Sequence, residues 1–162
     1  GPDVDVAFSD ALHVSAAASL GNVRSDSGSN RRIMANAEIG QRVAAPVVLG
    51  IDARGTSYQH FAPDYFAPQR LVIAETFARF ATTPDVGWGI EAEAALGSQS
   101  VRFLGATHRS FANRAAATVR FRPGLATELS LGARYANSVS SSTQRADGYR
   151  GYAVVFGARL HL

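Results

Sequence analysis

The sequence predicts an all-β chain of eight antiparallel strands in up-and-down order, closed as a barrel. Three observations predict it. Apolar and polar residues alternate with period two through one segment after another. Helix signals are poor, because 15 glycines and 6 prolines interrupt the 162 residues. The links between alternating segments are themselves sorted, short then long. The composition, 46% hydrophobic and 18% charged with a net charge of +3, is that of one ordered domain. Gly1-Pro2 reads as a protease-cleavage scar, leaving 3–162 as a single domain. The native start is then expected upstream, with 3–162 as the C-terminal part of a longer protein in one version of this reading.

The first segment spans 11–22. The second, 31–43, sets Ile33, Ala35, Ala37 and Ile39 against Met34, Asn36, Glu38 and Gly40. The third, 47–55, carries Asp52 and Arg54. The fourth, 70–80, is apolar on both faces at Leu71–Ala74, and its orientation rests on Glu75 and Arg79, which point the same way. The fifth, 87–97, sets Trp88, Ile90, Ala92, Ala94 and Leu96 against Gly89, Glu91, Glu93 and Ala95. The sixth spans 114–122. In the seventh, 125–136, Leu129, Leu131, Ala133 and Tyr135 oppose Glu128 and Arg134. The eighth, 150–162, alternates from Tyr152 to the terminal Leu162, with Arg159 and His161 on its polar side.

Links after the second, fourth and sixth segments are short: 44–46, 82–85 and 123–124. Links after the first, third, fifth and seventh are expected to be long, as at 23–30, 98–113 and 137–149. Long loops gathered at one end and tight turns at the other are the pattern of an outer-membrane barrel. The expected fold is thus a transmembrane β-barrel in a bacterial outer membrane, with lipid as its surrounding partner. A soluble sandwich or lipocalin-like barrel shares the alternation but turns its apolar face inward. Opposite charges on the polar faces favour the membrane reading. Glu38, Asp52, Glu91, Glu93 and Glu128 stand against Arg42, Arg54, Arg120, Arg134 and Arg159, a set suited to a paired network inside a narrow barrel. All 16 basic residues counted as Lys or Arg are arginine, whose planar fork binds two carboxylate oxygens at once. Alanines (Ala16, Ala18, Ala35, Ala37, Ala92, Ala94, Ala115, Ala117) fill much of the expected lipid face. Tyr58, Phe61, Tyr65, Phe66, Trp88, Tyr135 and Tyr149 are candidates for interfacial girdles.

Several chemistries are excluded or left without support. No run approaches the roughly 20 apolar residues of a transmembrane helix. With no cysteine there is no disulfide framework or thiolate site. His13, His60, His108 and His161 lack metal-ligand spacing, and no cofactor is expected. No basic run exceeds Arg31-Arg32, so no nucleic-acid partner is expected. His108 and Ser110 form the one catalytic candidate, since a histidine can activate a nearby serine for acyl transfer. The pair resembles the His-x-Ser of small outer-membrane lipid A deacylases, although in those enzymes it precedes the last strand. No acidic residue lies between Glu93 and Glu128 to complete it. The alternatives are therefore a lipid hydrolase and a purely structural barrel.

One stretch goes beyond pattern. Tyr65, Pro68, Gln69 and Arg70, followed by a strand, a short turn and the Trp88 strand, resemble the C-terminal barrel region of the cellulose-synthase outer-membrane subunit. The resemblance covers roughly 60–162 and extends to the family of exopolysaccharide exporters that carry helical repeats before a barrel. It implies a component of an exopolysaccharide (cellulose-like) secretion system, acting as anchor, accessory or part of the export pore. Its implied partners are polysaccharide and periplasmic or inner-membrane synthase components. This chain lacks the repeats and has about half the strands. Eight strands leave an interior filled by side chains, which favours an anchor or accessory over a conduit.

Overall fold

The computed structural model describes residues 3–7, 11–26, 28–82, 85–124, 127–137 and 150–160, and the side chains of all but 3–7 and 160. The described residues form nine strands: β1 (Asp3–Ala7), β2 (Leu12–Ser25), β3 (Gly28–Ala44), β4 (Val47–Tyr58), β5 (Arg70–Thr82), β6 (Gly87–Phe103), β7 (Ala106–Gly124), β8 (Thr127–Ala136) and β9 (Gly151–Leu160). They lie in one sheet in chain order, each antiparallel to the next. β2 to β9 are the eight segments read from the sequence. β1 is additional, a five-residue strand along His13–Ala17 of β2.

The closed barrel expected from the sequence is not formed. β1 and β9 are the sheet's two edges, and no ladder joins them among the described residues. In a nine-strand meander the first and last strands run parallel. The edge of β2, antiparallel to β9, is covered by β1.

Two of the four long connections are also corrected. β2 and β3 pair continuously to Ser25 and Gly28. β6 and β7 pair to Phe103 and Ala106, with only Leu104-Gly105 between them. The segments 23–30 and 98–113 are therefore mostly strand. Polar residues are mixed into both faces there (Arg24 and Ser25, Ser98 to Ser100, Thr107 to Ser110), which blurs the period-two signal although Val101 and Ala112 are buried. Leu104 and Gly105 hold positive φ angles of 50° and 81°, as a two-residue hairpin turn needs. The connection 59–69 remains long, and 138–149 lies outside the described residues.

The register assigns every face. Val14, Ile39, Ile51, Thr76 and Leu96 form one row across five strands. Ala16, Ala37, Ala53 and Ala74 form the next. This apolar side is the exposed one: Ile33, Ile39, Ile51, Leu96, Leu131, Val154 and Phe156 are all more than half exposed. Glu38, Asp52, Glu75, Glu93, Arg114 and Glu128 lie on the other side. That side is concave. β4 and β7 are three strand spacings apart, about 14 Å along a flat sheet, yet Asp52 on β4 meets Arg114 on β7 at 2.8 Å. Side chains stand roughly perpendicular to a sheet, so this meeting requires a sheet that curls around its polar face.

Candidate functional site: a stoppered ionic interior

The concave face is layered along the strands. Its middle layer is an ion network centred on Arg114 of β7. Arg114 donates to Asp52 at 2.8 Å and Glu75 at 2.9 Å, and also pairs with Glu93. Arg54 joins the same two β4 and β5 carboxylates, lying 3.2 Å from Asp52 and also pairing with Glu75. Arg79 forks onto Glu38 at 2.8 and 3.0 Å and reaches Glu93 at 2.6 Å. Glu75 is 1% exposed and Asp52 5%. Burial of that degree makes unpaired carboxylates costly, which is why each is met by at least one guanidinium.

Next to Arg79, the Phe77 ring lies under its guanidinium, 4.3 Å from carbon to centroid. The ring crosses from β5 over Gly50 of β4 towards Gly40 of β3, its cross-strand neighbours. A Cβ at Gly50 would collide with that ring and with the Ile39 carbonyl, and one at Gly40 would stand 3.6 Å from the ring. The two glycines are there for the phenylalanine. Towards the short turns a second set of pairs follows. Arg120 forks onto Glu91 at 2.5 and 2.8 Å, and Arg122 donates to Glu128 at 2.7 Å.

At the opposite end the concave face is apolar and capped. The 59–69 connection folds across it as a strap. Phe66, Leu71, Ile73, Val101 and Ala112 form one buried cluster, and Tyr58, Ala62 and Ala67 another. Phe66 and Phe61 both pack on Phe103, with centroids 5.5 and 5.6 Å away. Asn30 acts as a false strand for the strap: its Nδ2 donates to the His60 carbonyl at 2.7 Å, and His60 N–H donates to its Oδ1 at 3.1 Å. On the other side, Gly105 N–H donates to Gln69 Oε1 at 3.4 Å. The strap is thus pinned to β3 at one end and to the β6–β7 hairpin at the other.

Against the sequence expectations the residues sort as follows. Glu38, Asp52, Arg54, Glu91, Glu93, Arg120 and Glu128 are joined in ion pairs. Glu75, Arg79, Arg114 and Arg122 belong with them and were not foreseen as members. Arg42, Arg134 and Arg159 share that face in register but are exposed and make no ion pair among the described residues. Arg159 stands opposite Glu128 across the β8–β9 ladder. Tyr65 packs against Tyr58 with the rings tilted at 59° and centroids 5.8 Å apart, Pro68 is fully buried, and Gln69 and Arg70 are exposed. Tyr58 and Phe66, expected in a girdle, are buried in the stopper instead. Trp88 is exposed on the convex side against Phe121, 4.6 Å between centroids, and Tyr135 lies against Tyr152 at 5.0 Å. Tyr149 and His161 lie outside the described residues.

His108 and Ser110 sit two apart on the same face of the protruding β6–β7 hairpin, and both are exposed. Their cross-strand partners are Val101 and Gln99. Neither makes a side-chain hydrogen bond among the described residues, and no carboxylate faces them across the ladder. Among those residues no cluster of His, Asp and Glu is arranged to hold a metal ion. No protein family, curated protein or solved structure matches the chain.

Proposed function

We propose that this chain is an outer-membrane β-barrel component that serves as a membrane anchor or accessory rather than as a conduit. The observation that carries this reading is the inversion of the faces. The convex side presents a continuous field of exposed apolar residues from β2 to β9, while the described strand carboxylates of β2–β9 all lie on the concave side. A water-soluble protein rarely leaves an apolar patch of more than a few hundred Å² uncovered. Hydrocarbon is the solvent that suits this surface. The aromatic pairs support the same setting. Phe121 is level with Leu129 of β8, and Tyr135 lies six residues further along that strand. At about 3.4 Å per residue the two pairs are about 20 Å apart along the strand, close to the roughly 25 Å band of such barrels.

Lipid cannot satisfy an open sheet edge, so this reading requires closure. β9 runs antiparallel to β2 and parallel to β1. Closure of β9 onto β2, with β1 displaced, gives the even, antiparallel set of eight usual in single-chain bacterial barrels. The aromatic stopper and the filled ionic layer argue against a through-passage. The resemblance of Tyr65, Pro68, Gln69 and Arg70 adds exopolysaccharide secretion as the setting. Loss of the gene is then expected to leave polysaccharide in the periplasm.

The direct test is refolding from urea into phosphatidylcholine vesicles, followed by electrophoresis with and without boiling. A heat-modifiable, protease-resistant species is expected. A folded monomer in plain buffer without any amphiphile would overturn the reading.

A further inference from the structure

The outward positions of β2 to β9 contain no aspartate or glutamate. They contain five arginines: Arg24, Arg31, Arg70, Arg102 and Arg109. All five are exposed, and each lies within four residues of the strand end that carries the strap and the protruding hairpins. The opposite rim of the convex face carries none. None of the five makes an ion pair among the described residues, in contrast to Arg54, Arg79, Arg114, Arg120 and Arg122 of the concave face.

Their spacing is unfavourable for the isolated chain. Arg70 on β5 and Arg102 on β6 are direct cross-strand partners. Arg109 on β7 is the diagonal neighbour of Arg102, two residues beyond its partner Thr107. Like charges directly opposite one another destabilise a sheet. An anion lying over the three would relieve that repulsion. Guanidinium groups match phosphate oxygens in a two-pronged geometry, and these three border an apolar field that would hold acyl chains.

We propose that this arginine collar binds the phosphate headgroups of anionic lipid at the loop-side membrane surface. The inference rests on the membrane reading above and adds the lipid class and the leaflet side. Arg24 and Arg31, diagonal neighbours on β2 and β3, form a second contact point of the same kind.

The probe is spin-labelled phosphatidylglycerol against spin-labelled phosphatidylcholine, read as the motionally restricted boundary fraction around protein refolded in phosphatidylcholine vesicles. Each arginine near an anionic surface contributes about fivefold at low salt. A preference for phosphatidylglycerol of at least several-fold is expected, falling towards none in Arg70→Ser/Arg102→Ser/Arg109→Ser and, in the unaltered chain, on addition of sodium chloride. Heat-modifiable migration, measured on the same samples, separates the two readings. A folded protein without lipid preference, or one whose preference ignores both the substitutions and salt, overturns the collar and leaves the anchor standing. Failure to fold into vesicles at all overturns the anchor and the collar with it. Inorganic phosphate is the second arm. If it removes the preference where chloride of equal ionic strength does not, the site is one for small free anions and the lipid assignment is wrong.

Discussion

Replacing Arg114 with methionine tests whether the concave face is held together by its charges. Among the described residues, Arg114 is the one side chain that ties β7 to β4, β5 and β6 at once, through Asp52, Glu75 and Glu93. Methionine keeps much of the volume and removes the charge. Breaking a buried ion pair by removing one partner costs roughly 3–5 kcal/mol, because the remaining charge is left uncompensated. Here the loss is moderated, since Arg54 still reaches Asp52 and Glu75, and Arg79 still reaches Glu93. The expected cost is therefore at the lower end, about 3 kcal/mol. Urea titration of the vesicle-folded protein, followed by the heat-modifiable fraction, measures it. Arg134→Met is the matched control: exposed and without an ion pair among the described residues, it is expected to stay within about 0.5 kcal/mol. The double substitution Arg114→Met/Glu75→Gln should recover part of the loss, as coupled neighbours do. A cost below about 1 kcal/mol for Arg114→Met, or equal costs for Arg114→Met and Arg134→Met, would refute the reasoning.

Other substitutions probe the backbone, the strap and the exposed His–Ser pair. A Cβ at Gly97 would collide with the Ala74 carbonyl and lie 2.6 Å from the Glu75 Cα, whereas one at Gly21 meets nothing within 4 Å; Gly97→Ala is expected to abolish the folded band and Gly21→Ala to spare it. Asn30→Ala removes both bonds to His60 and is expected to cost about 1–3 kcal/mol, the net worth of two hydrogen bonds, with limited proteolysis opening first between 59 and 69. Phe66→Ala empties the centre of the stopper and is expected to cost about 3–5 kcal/mol, read by the same urea titration. Acyl release from lipid A or phospholipid esters is expected to be the same for Ser110→Ala as for the unaltered chain; activity that vanishes in the variant would restore the hydrolase alternative.

The faces are legible in the sequence because alternation records two different surroundings, the convex surface and the concave ionic layer. Where Ile33, Ala35, Ala37 and Ile39 meet one medium and Asn36 and Glu38 another, period two follows. The same logic explains the failures. At 98–100 and 107–110 polar residues occupy both faces of the hairpin, so Ser98, Gln99 and Ser100 read as a loop although they are paired. The sequence assigns Glu75 and Arg79 their side, yet each also has a partner two strands away, Arg114 for Glu75 and Glu38 for Arg79. Such distances in space depend on how strongly the sheet curls, which no spacing along one strand encodes. The inward fold of the strap was hidden for a related reason. Connections ordinarily run over the surface, and nothing in Phe66-Ala67-Pro68 declares that it will pack onto the concave face.

Arginine at the five paired positions has a structural reason once the network is laid out. Six carboxylates on the concave face (Glu38, Asp52, Glu75, Glu91, Glu93 and Glu128) are met by five guanidiniums. Parity is reached only because single guanidiniums serve several strands: Arg114 serves three carboxylates and Arg79 two. Lysine offers a compact point charge without a fixed fork and would leave carboxylates of the inner layer unmet. Three of the pairs, Arg79–Glu38, Arg114–Asp52 and Arg114–Glu75, act as cross-ties that favour curvature, since each joins strands that are not neighbours. Curvature in turn decides whether β9 can approach β2. The ionic layer and the apolar convex face then go together: these ties favour a curled sheet, whose outward β2–β9 positions are largely apolar, carry no carboxylate and have their five arginines at the loop-side rim.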